Sequence, residues 1–182
     1  MPPFTAERVL PVGDYPLTIA ELRQSHLVTG QGNPSLSWDS VWRAQLVENL
    51  AIMAAQLWAV GIGDIFVDGS FVENKDRPGD IDGYFVTDLM ALATGQLEAD
   101  LNRFDPDAIW TWDRMRRWAT PDSPKPQLPM WHKYRVELFP YIPGLPSGIK
   151  DRFGNDLQFP AAFRQSRQFI PKGIIALQRS VP

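Results

Sequence analysis

The chain has 182 residues, 44% hydrophobic and 21% charged, which suits one domain with a core of its own. It has no cysteine, which excludes disulfides and thiolate zinc centres and fits a cytoplasmic setting. The net charge of −3 hides an asymmetry: residues 1–113 hold 6 basic and 17 acidic side chains, and residues 114–182 hold 12 and 4. Such a split suits a site with metal on one side and anions on the other, or simple attraction between the two halves. Residues 1–38 are rich in Pro, Gly and Ser and are expected as an N-terminal arm, with a short helix from Thr18 to Gln24. Met1 to Thr5 lacks the order of a secretion signal, so a cytoplasmic location is expected. The main helix is predicted from Asp39 or Ser40, either of which can cap it, to Gly61. Trp42, Leu46, Leu50, Met53, Leu57 and Val60 recur along it at three- and four-residue steps. Its apolar stretch from Leu50 to Val60 is too short to span a bilayer, and no membrane association is expected.

A strand is predicted over Gly63 to Asp68, then a Gly-Ser turn, a polar loop closed by Pro78-Gly79, and a second strand over Asp80 to Val86. A helix capped by Thr87 or Asp88 reaches to about Arg103. Ala108 to Trp118 is predicted helical, Thr120 to Pro129 a loop, and Lys133 to Tyr141 a third strand. On that strand Tyr134, Val136 and Leu138 share one face, and Arg135, Glu137 and Phe139 the other. Gly173 to Leu177 is an apolar run that suits strand or helix. A core over 39–145 and a C-terminal extension over 146–182 complete the expected organisation.

The segment Gly69 to Asp82 reads G-S-F-V-E-N-K-D-R-P-G-D-I-D. Alternate residues of a strand share a face, so Asp80 and Asp82 are expected to point the same way. Two carboxylates that close repel unless a cation lies between them, which makes a hard divalent metal the natural third party. Gly69 lets phosphate approach the backbone, and Ser70 offers an N–H and a hydroxyl. Lys75 and Arg77 in the spacer, and Lys133 and Arg135 beside Glu137, are candidate clamps for a triphosphate. Each piece alone has a plainer reading: a solvated turn for the aspartates, an ordinary Gly-Ser turn, and a surface pair with Arg135 or Lys133 for Glu137. Asp68 reads as structural. The tryptophans at 110, 112, 118 and 131 read as core. His26 and His132 lack a third partner in metal-ligand spacing.

Gly69-Ser70, Asp80-Ile81-Asp82 and Val136-Glu137-Leu138, in this order of elements, resemble the signature of the nucleotidyltransferase superfamily typified by DNA polymerase beta. The resemblance covers residues 39 to 141. The third acid is Glu where Asp is common, and Gly83 stands where a bulky apolar residue is usual. The resemblance implies an α+β fold, a small mixed β-sheet with helices packed on it. It implies Mg²⁺ or Mn²⁺ held by Asp80, Asp82 and Glu137, and transfer of NMP, AMP foremost, from an NTP to a hydroxyl of a protein or tRNA. It further implies a place in a toxin–antitoxin or phage-defence module, with a cognate partner protein. A non-catalytic relative that binds nucleotide or a partner, and an enzyme acting on an antibiotic hydroxyl, are the alternatives.

Overall fold

The computed structural model describes residues 1–33, 35–121 and 123–180. Residues 34, 122, 181 and 182 of the expected arm, loop and extension lie outside the described residues. The fold is α+β. Strand β1 (Asp14–Thr18) leads into helices α1 (Ile19–Gln24) and α2 (His26–Thr29), then the long α3 (Ser40–Ala59). Strands β2 (Ile65–Asp68) and β3 (Ile81–Val86) flank a 3₁₀ turn at Gly69–Val72. Helices α4 (Leu89–Ala93) and α5 (Gln96–Leu101) follow, then a hairpin of β4 (Trp118–Thr120) and β5 (Ser123–Gln127). Helix α6 (Pro129–Tyr134) precedes β6 (Val136–Tyr141). A small hairpin of β7 (Ile149–Lys150) and β8 (Asp156–Leu157), helix α7 (Phe159–Ala162) and β9 (Ile174–Gln178) end the chain. Among the described residues no helix is long and apolar enough to cross a membrane.

Five strands form one mixed sheet in the order β1-β9-β2-β3-β6. β1 runs parallel to β9 and β3 parallel to β6; β2 is antiparallel to both of its neighbours. The segments expected as arm and extension thus each supply a strand. Period-two alternation divides the sheet into two faces. Ile65, Val67, Ile81, Phe85, Val136, Leu138, Ile175 and Leu177 join Leu46, Leu50, Met53 and Leu57 of α3 in the main core. The opposite face carries a smaller cluster, in which Tyr84, Tyr141, Phe163 and Ile174 pack with Phe66, Phe139 and Phe159. By the same alternation Asp82 and Glu137 lie on that second face.

Helix α3 is capped as expected, with the Asp39 side chain accepting from the Trp42 N–H at 2.9 Å. Four other expectations are corrected. The helix after Asp88 breaks into α4 and α5 at Gly95, whose φ of 74° lies in the left-handed region. Residues 108–117 are not an α-helix: Ala108 takes φ 47°, and the Asn102 amide pairs with both N–H and C=O of Trp110. Trp112 then reaches across to donate its indole N–H to the Leu138 carbonyl. Burial of large aromatics along the sheet outweighs the weak local helix preference there. The Pro-rich stretch forms β4–β5, with Pro124 and Pro126 alternating in a two-stranded ribbon where an unpaired backbone position tolerates them. Lys133 and Tyr134 close α6 instead of opening a strand, because Pro129 starts a helical turn and Arg135, at φ 54°, ends it.

Candidate functional site

Register places the acids. Asp68 at the end of β2 is opposite Asp82 on β3, and Asp82 is opposite Glu137 on β6. Adjacent strands lie about 4.8 Å apart, so three carboxylates form one row across the sheet. Asp68, expected to be merely structural, is the row's first member. Gly69 follows it with φ 73°, and a Cβ there would overlap the Asp82 carboxylate. The turn therefore needs glycine both for its backbone and for room beside the acid. Gly83 is equally constrained: a Cβ would strike the Phe66 carbonyl and Leu138, so this sheet has no space for the bulky residue usual at that position.

The row is electrostatically loaded. Burial, then the charges of Asp80 and Glu137, push Asp82 up to about 7. Burial also raises Glu137, against the opposing pull of Arg117 and the Leu128 N–H. Glu137 Oε1 accepts from that N–H at 3.3 Å and lies 3.6 Å from Arg117 Nη1. Burial raises Asp68 well above the carboxylate range, although Lys172 Nζ lies 3.0 Å from its Oδ1. That ion pair is out of hydrogen-bond alignment and leaves Oδ1 without a hydrogen-bond donor. Asp80 stands just before β3 and accepts the Trp131 indole N–H at 2.7 Å. As the side chains stand, no three His, Asp or Glu among the described residues converge closely enough to hold a metal ion.

These acids open into a cleft of about 690 Å³ that also holds Gly69, Ser70 and Lys75. Phe139, Phe159 and Phe163 give it an aromatic wall. The other expected cations lie elsewhere. Arg77 pairs with Asp39 and covers the Trp42 ring. Lys133 is committed to Asp105 and Asp107 at 2.7 and 2.8 Å. Arg135 stacks on Trp131, 3.9 Å from its ring centre. In their place Arg114, Arg117, Lys125, Arg167 and Lys172 line the cleft. They come from the basic second half of the chain, and only the charge asymmetry hinted at them. Trp110 and Trp131 are buried as expected, but Trp118 is exposed and stacks on His132 at 3.9 Å. His26 packs edge-on against Phe4, away from any such acid group.

Beneath the turn, Arg43 of α3 is fully buried and donates to the carbonyls of Leu27, Phe71, Glu73 and Lys75. Burial lowers its pKa to about 9, a cost that the four carbonyls offset. The arrangement is a loop on a buried cation, next to a row of acids, in a cleft lined by cations of which Arg114, Lys125 and Arg167 make no ion pair among the described residues. No curated protein and no solved structure matches this chain. The sequence model of a family of unknown function (DUF6932) matches residues 2–178, and the chain is a member of that family.

Proposed function

We propose that the protein is a metal-dependent nucleotidyltransferase that moves NMP, AMP foremost, from an NTP to a hydroxyl of a protein or tRNA. The observation that carries this reading is the carboxylate row beside the Gly69-Ser70 turn. The order of helix, strand, Gly-Ser, acid-bearing strand and a parallel neighbour with a third acid supports a nucleotidyltransferase-like fold as well. The donor set is all carboxylate, which suits Mg²⁺ or Mn²⁺, and the raised Asp82 marks a place where positive charge is wanted. Asp80, Asp82 and Glu137 would hold the metal, once Asp80 leaves the Trp131 indole. Bound there, it would neutralise charge on the transferring phosphoryl group.

The chain's own residues do the remaining work. Gly69 and Ser70 receive a phosphate against backbone. Lys75, Arg114, Lys125 and Arg167 line the cleft and make no ion pair among the described residues, so they are available to the triphosphate. The acceptor oxygen forms a bond to the α-phosphorus as the bond to the bridging oxygen breaks and pyrophosphate leaves. The acceptor's proton would pass to the Glu137 carboxylate. Oε1 of Glu137 is steadied by Leu128, and Oε2 makes no hydrogen bond among the described residues.

The test is incubation with α-labelled NTPs, Mn²⁺ and either cell lysate or bulk tRNA. Label is expected on a protein or RNA band, and Asp82→Ala is expected to lower it by roughly 10²–10⁴. Label that survives in Asp82→Ala would remove the carboxylates from the mechanism. The Trp131–Asp80 hydrogen bond favours a second reading, a nucleotide binder without turnover. Tight NTP binding with no label on any acceptor would select it.

A further inference from the structure

The C-terminal segment brings one charged group into the cleft that no motif announces. Lys172 is 3% exposed, and its ammonium is paired with two carboxylates and a carbonyl. It donates to the Gly69 carbonyl and to Glu73 Oε1, each at 2.9 Å, and lies 3.0 Å from Asp68 Oδ1. Two hydrogen bonds tie it to both ends of the Gly69–Val72 turn, and an ion pair sets it against the first acid of the row. Burying an ammonium is costly, so a lysine held this way marks a place where charge and direction both matter.

The direction follows from peptide geometry. The Gly69 carbonyl and the Ser70 N–H belong to one planar trans unit and point opposite ways. Fixing that carbonyl on Lys172 fixes where the Ser70 N–H points. Arg43 holds the carbonyls of Phe71, Glu73 and Lys75 from the helix side. Alternate carbonyls from 69 to 75 are thereby tied to two buried cations, one from α3 and one from the residue pair before β9. The charge follows from the register: Lys172 offsets Asp68 and Glu73, which lie nearest the turn, while Asp82 beside them keeps no cation within salt-bridge distance among the described residues.

We infer that Lys172 is a positioning residue that holds the Gly69–Lys75 loop in its anion-receiving shape and screens Asp68 from Asp82. It acts through the loop and does not touch the substrate. Its consequence for binding rests on the nucleotide reading above; its consequence for the loop does not.

The experiment compares wild type, Lys172→Met, Lys172→Arg and the double variant Asp68→Asn/Lys172→Met, which removes the buried pair together and keeps the fold if the single variant fails. Hydrogen exchange is measured at Glu73, Asn74 and Lys75, whose N–H groups bond to the Ser70, Arg8 and Glu73 carbonyls. Loss of the lysine is expected to speed exchange there roughly tenfold while amides of α3 keep their rates, and Lys172→Arg is expected to restore most of the protection. Mn²⁺-ATP binding to the same proteins is expected to weaken in parallel. Loop exchange that stays at the wild-type rate, or that rises together with α3, would overturn the assignment. Wild-type protein that binds no NTP would sink the nucleotide reading, and the exchange rates would still decide the role of Lys172.

Discussion

A single carboxyl sets the electrostatics of the site. Asp82 has Asp68 on one side in the sheet, Glu137 on the other, and Asp80 two residues before it. Its pKa rises from the ordinary 3.8 to about 7, so the folded state keeps a proton that the unfolded chain releases between those values. Stability of the metal-free protein should therefore fall as pH rises from about 4 to 7. Asp82→Asn removes that titration. It is expected to flatten the profile and to stabilise the metal-free protein at pH 8 by on the order of 1–2 kcal/mol, with little change at pH 4. Urea unfolding at the two pH values reads the difference. Parallel profiles for the two proteins would mean that the titrating group is another one. Mn²⁺ is expected to narrow the gap by stabilising wild type selectively.

At the scale of elements, the sheet explains what was legible in the chain and what was not. The Gly-Ser turn, Asp82 and Glu137 could be picked out because their pattern is local, whereas Asp80, expected on the same strand as Asp82, falls just before β3 and turns to the Trp131 indole. Asp68 lay in plain sight, but its role comes from antiparallel pairing with Asp82, which no local pattern states. Lys133 and Arg135 looked like neighbours of Glu137 because Tyr134, Val136 and Leu138 keep a period of two. The strand starts only at Val136, so that period ran by coincidence through a helix end. The tryptophan-rich stretch after Asp107, ambiguous in pattern and expected as a helix, is not one, since Trp112 is placed by the sheet it covers. Gly83 carries the element-scale prediction. β3 has β2 on one side and β6 on the other, and a side chain at 83 meets the Phe66 carbonyl and Leu138. Gly83→Ala is expected to lower stability by roughly 1–3 kcal/mol through overpacking, and Gly83→Val by more. Thermal melts check the order; an alanine variant as stable as wild type would show that the strands can part at no cost.

The charge asymmetry of the chain acquires a meaning in the whole molecule. Asp68, Glu73, Asp80 and Asp82 come from the acidic part, and Arg114, Arg117, Lys125, Arg167 and Lys172 from the basic part; the cleft is where the two meet. What joins them is β9, and its place could not be read from an apolar run that suited strand or helix equally. It is the second strand of five, the partner of β1 on one side and of β2 on the other. Among the described residues β1 has no other neighbour in the sheet, and Ile175 and Leu177 are buried in the main core. A chain ending at Pro171 loses these contacts together with Lys172, so β1 has nothing to pair with and one edge of β2 is bare. Small domains lose cooperativity when a central strand goes, because the remaining burial no longer outweighs chain entropy. Residues 1–171 are expected to show no sharp thermal transition and to expose apolar surface to a hydrophobic dye. Removing only residues 179–182 spares every pairing of β9 and is expected to leave the melt close to wild type. If the 171-residue chain still unfolds in one cooperative step, the C-terminal segment is an appendage, and the structural basis for Lys172 as part of the site falls with it.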